Sequence, residues 1–168
     1  MPLSIYQSSI PRFTHTLNSL SVILDKAVAH AEAKKIKPEA LTTFRLYPDM
    51  LPFTSQIQIA CDAAKGVVAR LAGVEVPKHE DTEVTFADLK ARIAKTIAFI
   101  ESIKPAQIDG SEEKQITLKI GGSDMVFKGV DYLQAFALPN FYFHVATAYN
   151  ILRHNGVEIG KRDFLGGQ

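Results

Sequence analysis

Four stretches of the chain carry apolar residues that recur every three or four positions. In the first stretch, Phe13, Leu17, Leu20 and Leu24 fall on one side of a 3.6-residue repeat, which is the pattern of an amphipathic helix. The same spacing recurs three more times, so the sequence predicts four long helices. They cover about residues 4–35, 54–72, 86–103 and 131–154.

Residues typical of helix caps and helix stops lie at the predicted helix ends. Thr85 and Asp88 resemble a capping box at the start of the third helix, Thr54 is a candidate cap for the second, and Asp131 for the fourth. Gly73 follows the second helix as a stop. Pro139 is expected to kink the fourth helix or to split it into two pieces.

Between the third and fourth helices the apolar period changes from 3.6 to 2. Ile116, Leu118 and Ile120 alternate with polar residues, residues 121–124 read Gly-Gly-Ser-Asp, and Met125 begins a second alternating run. Two alternating runs around a glycine-rich turn predict a β-hairpin. The sequence therefore predicts an all-α four-helix bundle with a short β-hairpin inserted between helices three and four.

Composition places this bundle among ordinary globular proteins. With 168 residues, of which 46% are apolar and 22% charged, the chain predicts one domain spanning residues 1–168. Nineteen basic and eighteen acidic residues give a net charge of +1, so no nucleic-acid partner is expected. The single cysteine, Cys61, excludes an intramolecular disulfide framework, and its place on an apolar stripe predicts an inert core thiol.

One segment has the length of a membrane span. Residues 132–152 contain no Asp, Glu, Lys or Arg, and about 20 residues suffice to cross a bilayer. The segment also contains Gln134, Asn140, His144 and Asn150, which hydrocarbon disfavours, so a helix buried in the bundle is the preferred interpretation. Because the N-terminus lacks the basic and apolar regions of a signal peptide, we expect a cytoplasmic protein without a membrane partner.

His144 is the most informative candidate for chemistry. It lies on the apolar face of the fourth helix, with Asn140 one turn earlier. A neutral imidazole turned into the bundle could ligate a metal, accept a proton, or simply hydrogen-bond a core partner. Among the histidines and cysteine, no spacing typical of a metal site occurs.

Other polar residues could join His144. Gln58 and Asp62 stand one turn apart on the second helix, where they could line an interior pocket or face solvent. Arg45 could pair with Asp49 within its loop or bind an anionic ligand.

Several separated motifs resemble a known family. They are SIYQSSIPRF, RLYPDMLPFTSQIQIACDAAKG, ARLAGVEVP, ALPNFYFHVATAYNILRHNGV and GKRDFLG. Together they resemble an uncharacterised bacterial and fungal family, a domain of unknown function within the DinB/YfiT-like superfamily. The resemblance implies a DinB-like four-helix bundle that is often a homodimer.

The superfamily resemblance also implies a possible cofactor. Many members have three histidine metal ligands, one on the second bundle helix and two on the last, and some relatives are thiol-cofactor-dependent transferases or isomerases. His144 resembles one ligand of the last-helix pair, whereas its partner position falls on Asn140 and the helix-two position falls near Gln58 to Asp62. Two of the three histidines are therefore missing.

Three hypotheses follow. The leading one is a small-molecule-binding protein with an interior polar pocket near His144. The second is a metal- or thiol-cofactor-dependent transferase or isomerase that uses His144 as ligand or base, and the third is an interaction protein that acts through dimerisation. The candidate ligand-binding residues are His144, Asn140, Gln58, Asp62, Tyr6 (from the SIYQ motif) and Arg45.

Overall fold

The helices and the hairpin predicted from the apolar spacing are present in the structure, a computed structural model that describes residues 4–167. The ends of the predicted 1–168 domain, residues 1–3 and 168, lie outside the described residues. The long helices are α1 (Ile5–Lys34), α3 (Phe53–Ala72), α4 (Phe86–Ser102) and α7 (Leu138–His154). Short elements connect them: α2 (Glu39–Thr42), α5 (Pro105–Ile108), β1 (Gln115–Ile120), β2 (Ser123–Lys128), α6 (Gly129–Asp131), a π-helical segment (Tyr132–Ala137) and α8 (Lys161–Phe164).

The four long helices pack as the predicted bundle. Helix α3 lies against both α4 and α7, and α1 lies against α4. Their apolar stripes meet in one continuous core, in which the rings of Phe13 and Phe141 meet edge to face with centroids 4.9 Å apart. Burial of these stripes is the main favourable contribution to folding.

The capping box of α4 is confirmed. The Thr85 hydroxyl accepts the backbone N–H of Asp88 at 3.1 Å, and the Asp88 carboxylate accepts the backbone N–H of Thr85 at 2.9 Å. These reciprocal bonds satisfy donors that every helix N-terminus leaves free.

The predicted caps of the other two helices are wrong. Helix α3 begins at Phe53, behind Pro52, and the Thr54 hydroxyl donates to the carbonyl of Thr42 at 2.9 Å instead of capping the helix. The fourth helical stretch begins at Gly129, so Asp131 lies inside it. The positions of both helix starts depend on tertiary contacts, and rules based on the local sequence do not include such contacts.

Gly129 allows the fourth helical stretch to begin against the loop before the hairpin. A Cβ atom at this position would lie 1.9 Å from the carbonyl oxygen of Ser111, so only glycine fits. The hairpin itself pairs β1 with β2 in antiparallel register, with Ile116 opposite Phe127 and Ile120 opposite Ser123.

Pro139 leaves the fourth helical stretch continuous but changes its geometry. In the turn before the proline, the N–H of Leu138 donates to the carbonyl of Leu133, five residues back. Proline lacks an N–H and its ring crowds the carbonyl four residues earlier, and a wider π-helical turn accommodates both effects. The expected kink or split therefore takes the form of the π-helical segment Tyr132–Ala137.

Among residues 4–167, no helix combines the length and the apolarity needed to cross a bilayer. Helix α7, which carries most of the stretch 132–152, packs mainly against α3, as expected for a bundle helix.

Candidate functional site

His144 and Gln56 form a buried polar pair where α7 packs on α3. The Nδ1 atom of His144 lies 2.7 Å from Oε1 of Gln56, and the Nε2 atom of Gln56 donates to the carbonyl of Leu51 at 3.0 Å. Gln56 is 2% exposed and His144 9%. The predicted inward orientation of His144 therefore agrees with the fold, and its partner is a glutamine that the sequence analysis did not single out.

The contact with Leu51 fixes the tautomer of His144. A carbonyl oxygen only accepts hydrogen bonds, so the amide nitrogen of Gln56 must face Leu51 and its oxygen must face His144. The imidazole then carries its proton on Nδ1, which donates to Gln56, and Nε2 keeps its lone pair. Burial lowers the pKa of His144 below its ordinary value of 6.5, which favours this neutral form.

The lone pair of Nε2 is available to a ligand. Within residues 4–167, no group forms a hydrogen bond with Nε2 of His144. This atom is also not one of the fully enclosed side-chain atoms there that lack a hydrogen-bond partner, so it remains accessible. An oriented neutral imidazole with a free nitrogen can accept a hydrogen bond or a proton.

Asn140 lies one turn before His144 but lines a groove to which His144 does not belong. It borders a groove of about 410 Å³ between α3, the hairpin and the start of the fourth helical stretch, together with Arg70, Tyr132 and Phe136. We call this feature the Arg70 groove. His144 is not among its lining residues.

Gln58 and Asp62 belong to a third polar cluster, which is centred on Arg92. The Gln58 amide donates to the Glu83 carboxylate at 2.9 Å. Arg92 donates to both oxygens of Glu83, at 3.0 and 3.1 Å, and to Asp62 at 2.8 Å. Arg92 also ion-pairs with Asp81 at 3.0 Å. Its guanidinium is thereby neutralised by carboxylates, so this network holds loop residues 80–83 against α3 and α4.

Glu83 and Arg92 were missed by sequence reasoning. One signal could have found Arg92: it follows Leu89 by three positions and precedes Thr96 by four, so it lies on the buried stripe of α4. Nothing in the local sequence marks Glu83, because its partners stand 25 and 9 residues away.

The two remaining candidates lie elsewhere. Arg45 donates to the carbonyl of Met50 at 2.5 Å, which replaces the expected pairing with Asp49. It borders a groove of about 400 Å³ that Gln58 also lines. Half-buried Tyr6 stands at the start of α1, where its backbone N–H donates to Asp109 at 2.8 Å. The six candidates thus occupy several separate places rather than one interior pocket.

Comparison with known proteins agrees with this bundle. The family model described as "Domain of unknown function (DUF1993)" matches residues 5–165. The chain belongs to the DUF1993 family. A crystal structure of a DinB family member protein from Shewanella denitrificans resembles this chain with a TM-score of 0.88 and 40% identity, over 98% of this chain and 93% of that one. No curated protein shows significant sequence similarity to the chain.

The side chains of this DUF1993 member do not fit the three-histidine metal site that the superfamily resemblance implies. Gln56 stands opposite His144 on α3, and Asn140 stands one turn before it on α7. Amides bind first-row transition metals far less well than imidazoles. Within residues 4–167, no three His, Cys, Asp or Glu side chains are grouped so that they could hold a metal ion.

Cys61 is equally unsuited to nucleophilic chemistry in this DinB-like bundle. It is fully buried on α3, and burial raises the pKa of its thiol to about 12. Since the thiolate is the reactive species, the structure agrees with the expected inert core thiol.

Proposed function

We propose that the protein is a cytoplasmic small-molecule-binding protein that uses Nε2 of His144 as a hydrogen-bond acceptor. The observation that carries this proposal is the chain of contacts from the Leu51 carbonyl through Gln56 to His144. This chain holds the imidazole in one tautomer and one orientation before a ligand arrives, which lowers the entropic cost of binding. The ligand would offer an O–H or N–H group to the ring.

The surroundings of this pair favour a ligand with an apolar part. Phe143, beside His144, is 58% exposed, and Leu51, whose carbonyl holds Gln56, is 45% exposed. Small-molecule sites usually combine apolar side chains with a few oriented polar groups.

A thermal-shift screen of hydroxyl- and amine-bearing metabolites tests this proposal. Wild type is compared with His144→Gln and with the control His30→Gln, which changes a half-buried histidine on α1. We expect at least one compound to raise the melting temperature of wild type and of the control but not of His144→Gln. Equal stabilisation of all three proteins, or of none, would contradict the proposal. The ¹⁵N resonance of Nε2 should also report an unprotonated nitrogen at pH 7.

We propose self-association as a second function, supported by exposed apolar side chains, of which Phe143 contacts His144 and Leu51 accepts from Gln56. Tyr47, Leu51 and Phe143 are 64%, 45% and 58% exposed, and apolar surface of this kind often marks an interface. Light scattering after size exclusion should show a dimer for wild type and for the control Val84→Ser, which changes an equally exposed residue elsewhere. The double variant Leu51→Ser/Phe143→Ser should be monomeric. A monomeric wild type would contradict this second proposal.

A further inference from the structure

The Arg70 groove contains a guanidinium that is held in place without a carboxylate. Nη1 of Arg70 donates to the hydroxyl of Tyr132 at 3.0 Å. Across the part of the chain that the structure describes, the ion pairs involve neither Arg70 nor Lys119, and both residues line the groove. Arginine presents a rigid fork of donors, and only part of this fork is used here.

Gly66 provides the space for this guanidinium. A Cβ atom at Gly66 would lie 2.5 Å from Nη1 of Arg70, although Gly66 sits inside α3, where glycine is unfavourable. The Arg70 side chain therefore folds back over its own helix, one turn earlier, and reaches Tyr132 from there.

The groove carries the positive charge of Arg70 and no negative charge. None of the residues that line it is acidic. Lys114 lies nearby, since its ammonium donates to the carbonyls of Arg70 and Leu71 at 2.9 and 3.1 Å. Asp124, the cross-strand neighbour of Lys119, is exposed on the hairpin. Because side chains alternate along a strand, Lys119 and Asp124 point to the face of the hairpin opposite to Leu118 and Ile120. An anion in the groove would therefore meet the guanidinium of Arg70 without a competing carboxylate on the walls.

The rest of the groove is apolar and aromatic. Phe136 is held by Phe127 and Tyr132, whose ring centroids lie 5.5 and 6.1 Å from its own. Leu118 and Ile120 of β1 form the opposite wall. A volume of about 410 Å³ is within the range of small-molecule sites.

We infer that the Arg70 groove binds a small organic carboxylate with a flat or apolar body. Arg70 would pair with the carboxylate through its free donors. The Tyr132 hydroxyl accepts from Arg70, so its own hydrogen is free to donate to the anion, and the Asn140 amide can add a further donor. The apolar body would lie against Phe136, Leu118 and Ile120.

This site is distinct from the His144 site. Neither His144 nor Gln56 lines the Arg70 groove, although Asn140, which does line it, stands one turn before His144 on α7. The two proposals rest on different polar groups, so each is tested by its own variants.

The experiment titrates three probes into the ¹⁵N-labelled protein: benzoate, its neutral analogue benzamide, and inorganic phosphate. We expect benzoate to shift the side-chain signals of Arg70 and Asn140 saturably, with a Kd of about 1 mM or tighter. Benzamide and phosphate should bind more weakly. No saturable shift with benzoate, or binding of benzamide or phosphate as tight as that of benzoate, would overturn the inference.

Two variants distinguish a loss of benzoate binding at the groove from a loss of fold stability. Arg70→Gln removes the guanidinium, and Gly66→Ala keeps it but displaces it from Tyr132. Gly66→Ala should not unfold the protein, because the group that must move is the end of a flexible side chain and alanine is the better helix former. Each variant should weaken benzoate binding about tenfold or more, as expected for the loss of a charged hydrogen bond. The control Arg12→Gln, an exposed arginine on α1, should bind like wild type. Wild-type affinity in both groove variants would overturn the inference.

Discussion

Arg92 donates to both carboxylate oxygens of Glu83, at 3.0 and 3.1 Å, from a side chain that is 1% exposed. Glu83 itself is 12% exposed. Burial acts to raise the pKa of Glu83, but hydrogen bonds from Gln58 and Arg92 outweigh burial, and the net result is a lowered pKa. The pair is therefore charged on both sides at neutral pH, and removal of one partner leaves the other charge poorly solvated.

Arg92→Met should be strongly destabilising. The substitution keeps most of the apolar volume but leaves Glu83 without its guanidinium, and broken buried pairs cost about 3–5 kcal/mol. Urea unfolding at pH 7 measures this change. The control Asp81→Asn removes a carboxylate that is 61% exposed in the same network, and its cost should stay within about 1 kcal/mol. If both variants lost the same free energy of unfolding, burial of the Glu83–Arg92 pair would not determine how much the network contributes to stability.

Stability should fall as the pH drops below about 6.5 because two histidines are held neutral. Burial lowers the pKa of His144. Burial, followed by the charges of Lys65, Lys95 and Arg92, lowers the pKa of His79. Both values lie below the ordinary 6.5, so the unfolded chain binds more protons in this range and the free energy of unfolding rises with pH. The stabilisation is complete above pH 6.5 and is lost as the pH falls through the folded-state values.

Urea unfolding between pH 7.5 and pH 5 checks this dependence. The double variant His79→Gln/His144→Gln should show a flatter profile than wild type in that interval. Glu83 contributes little there, because the unfolded chain takes up this proton around the ordinary pKa of 4.5, below the interval. A wild-type profile that stays flat, or a double variant with an unchanged slope, would contradict the assignment.

Local structure was predictable where the determinants lie close together in sequence. The α4 capping box needs only Thr85 and Asp88, and the hairpin needs only alternating residues around a glycine turn. The four helices follow from apolar spacing, and the DinB-like fold followed from motifs spread along the chain. The starts of α3 and of the fourth helical stretch were wrong because contacts at Thr42 and Ser111 decide them.

The polar sites were much less predictable. Gln56 meets His144 across 88 residues, and Arg70 meets Tyr132 across 62. Such pairs depend on the rotation of each helix about its own axis, and a stripe of apolar residues fixes that rotation only to within about 100°, the width of the stripe. His144 was placed inward correctly, while its partner is Gln56 rather than Gln58 or Asp62.

Gln56→Glu should raise the pKa of His144. A carboxylate 2.7 Å from Nδ1 favours the charged imidazolium, which reverses the effect of burial. The variant should also lose about 1–3 kcal/mol of stability at pH 8, since the Leu51 carbonyl loses its donor. NMR titration of the His144 ring in wild type and in Gln56→Glu measures the pKa. An unchanged His144 titration would show that Gln56 does not set its protonation.

Cys61 should be unreactive until the chain unfolds. Its side chain is fully buried between the bundle helices, and burial raises its pKa to about 12, so almost no thiolate exists at pH 8. Ellman's reagent should therefore label native protein only at the rate of global opening, and labelling should accelerate in parallel with the fraction unfolded as urea is added. Since the chain contains one cysteine, the absorbance reports this site alone. Fast stoichiometric labelling without denaturant would instead place the thiol within reach of solvent and contradict its role as a core residue.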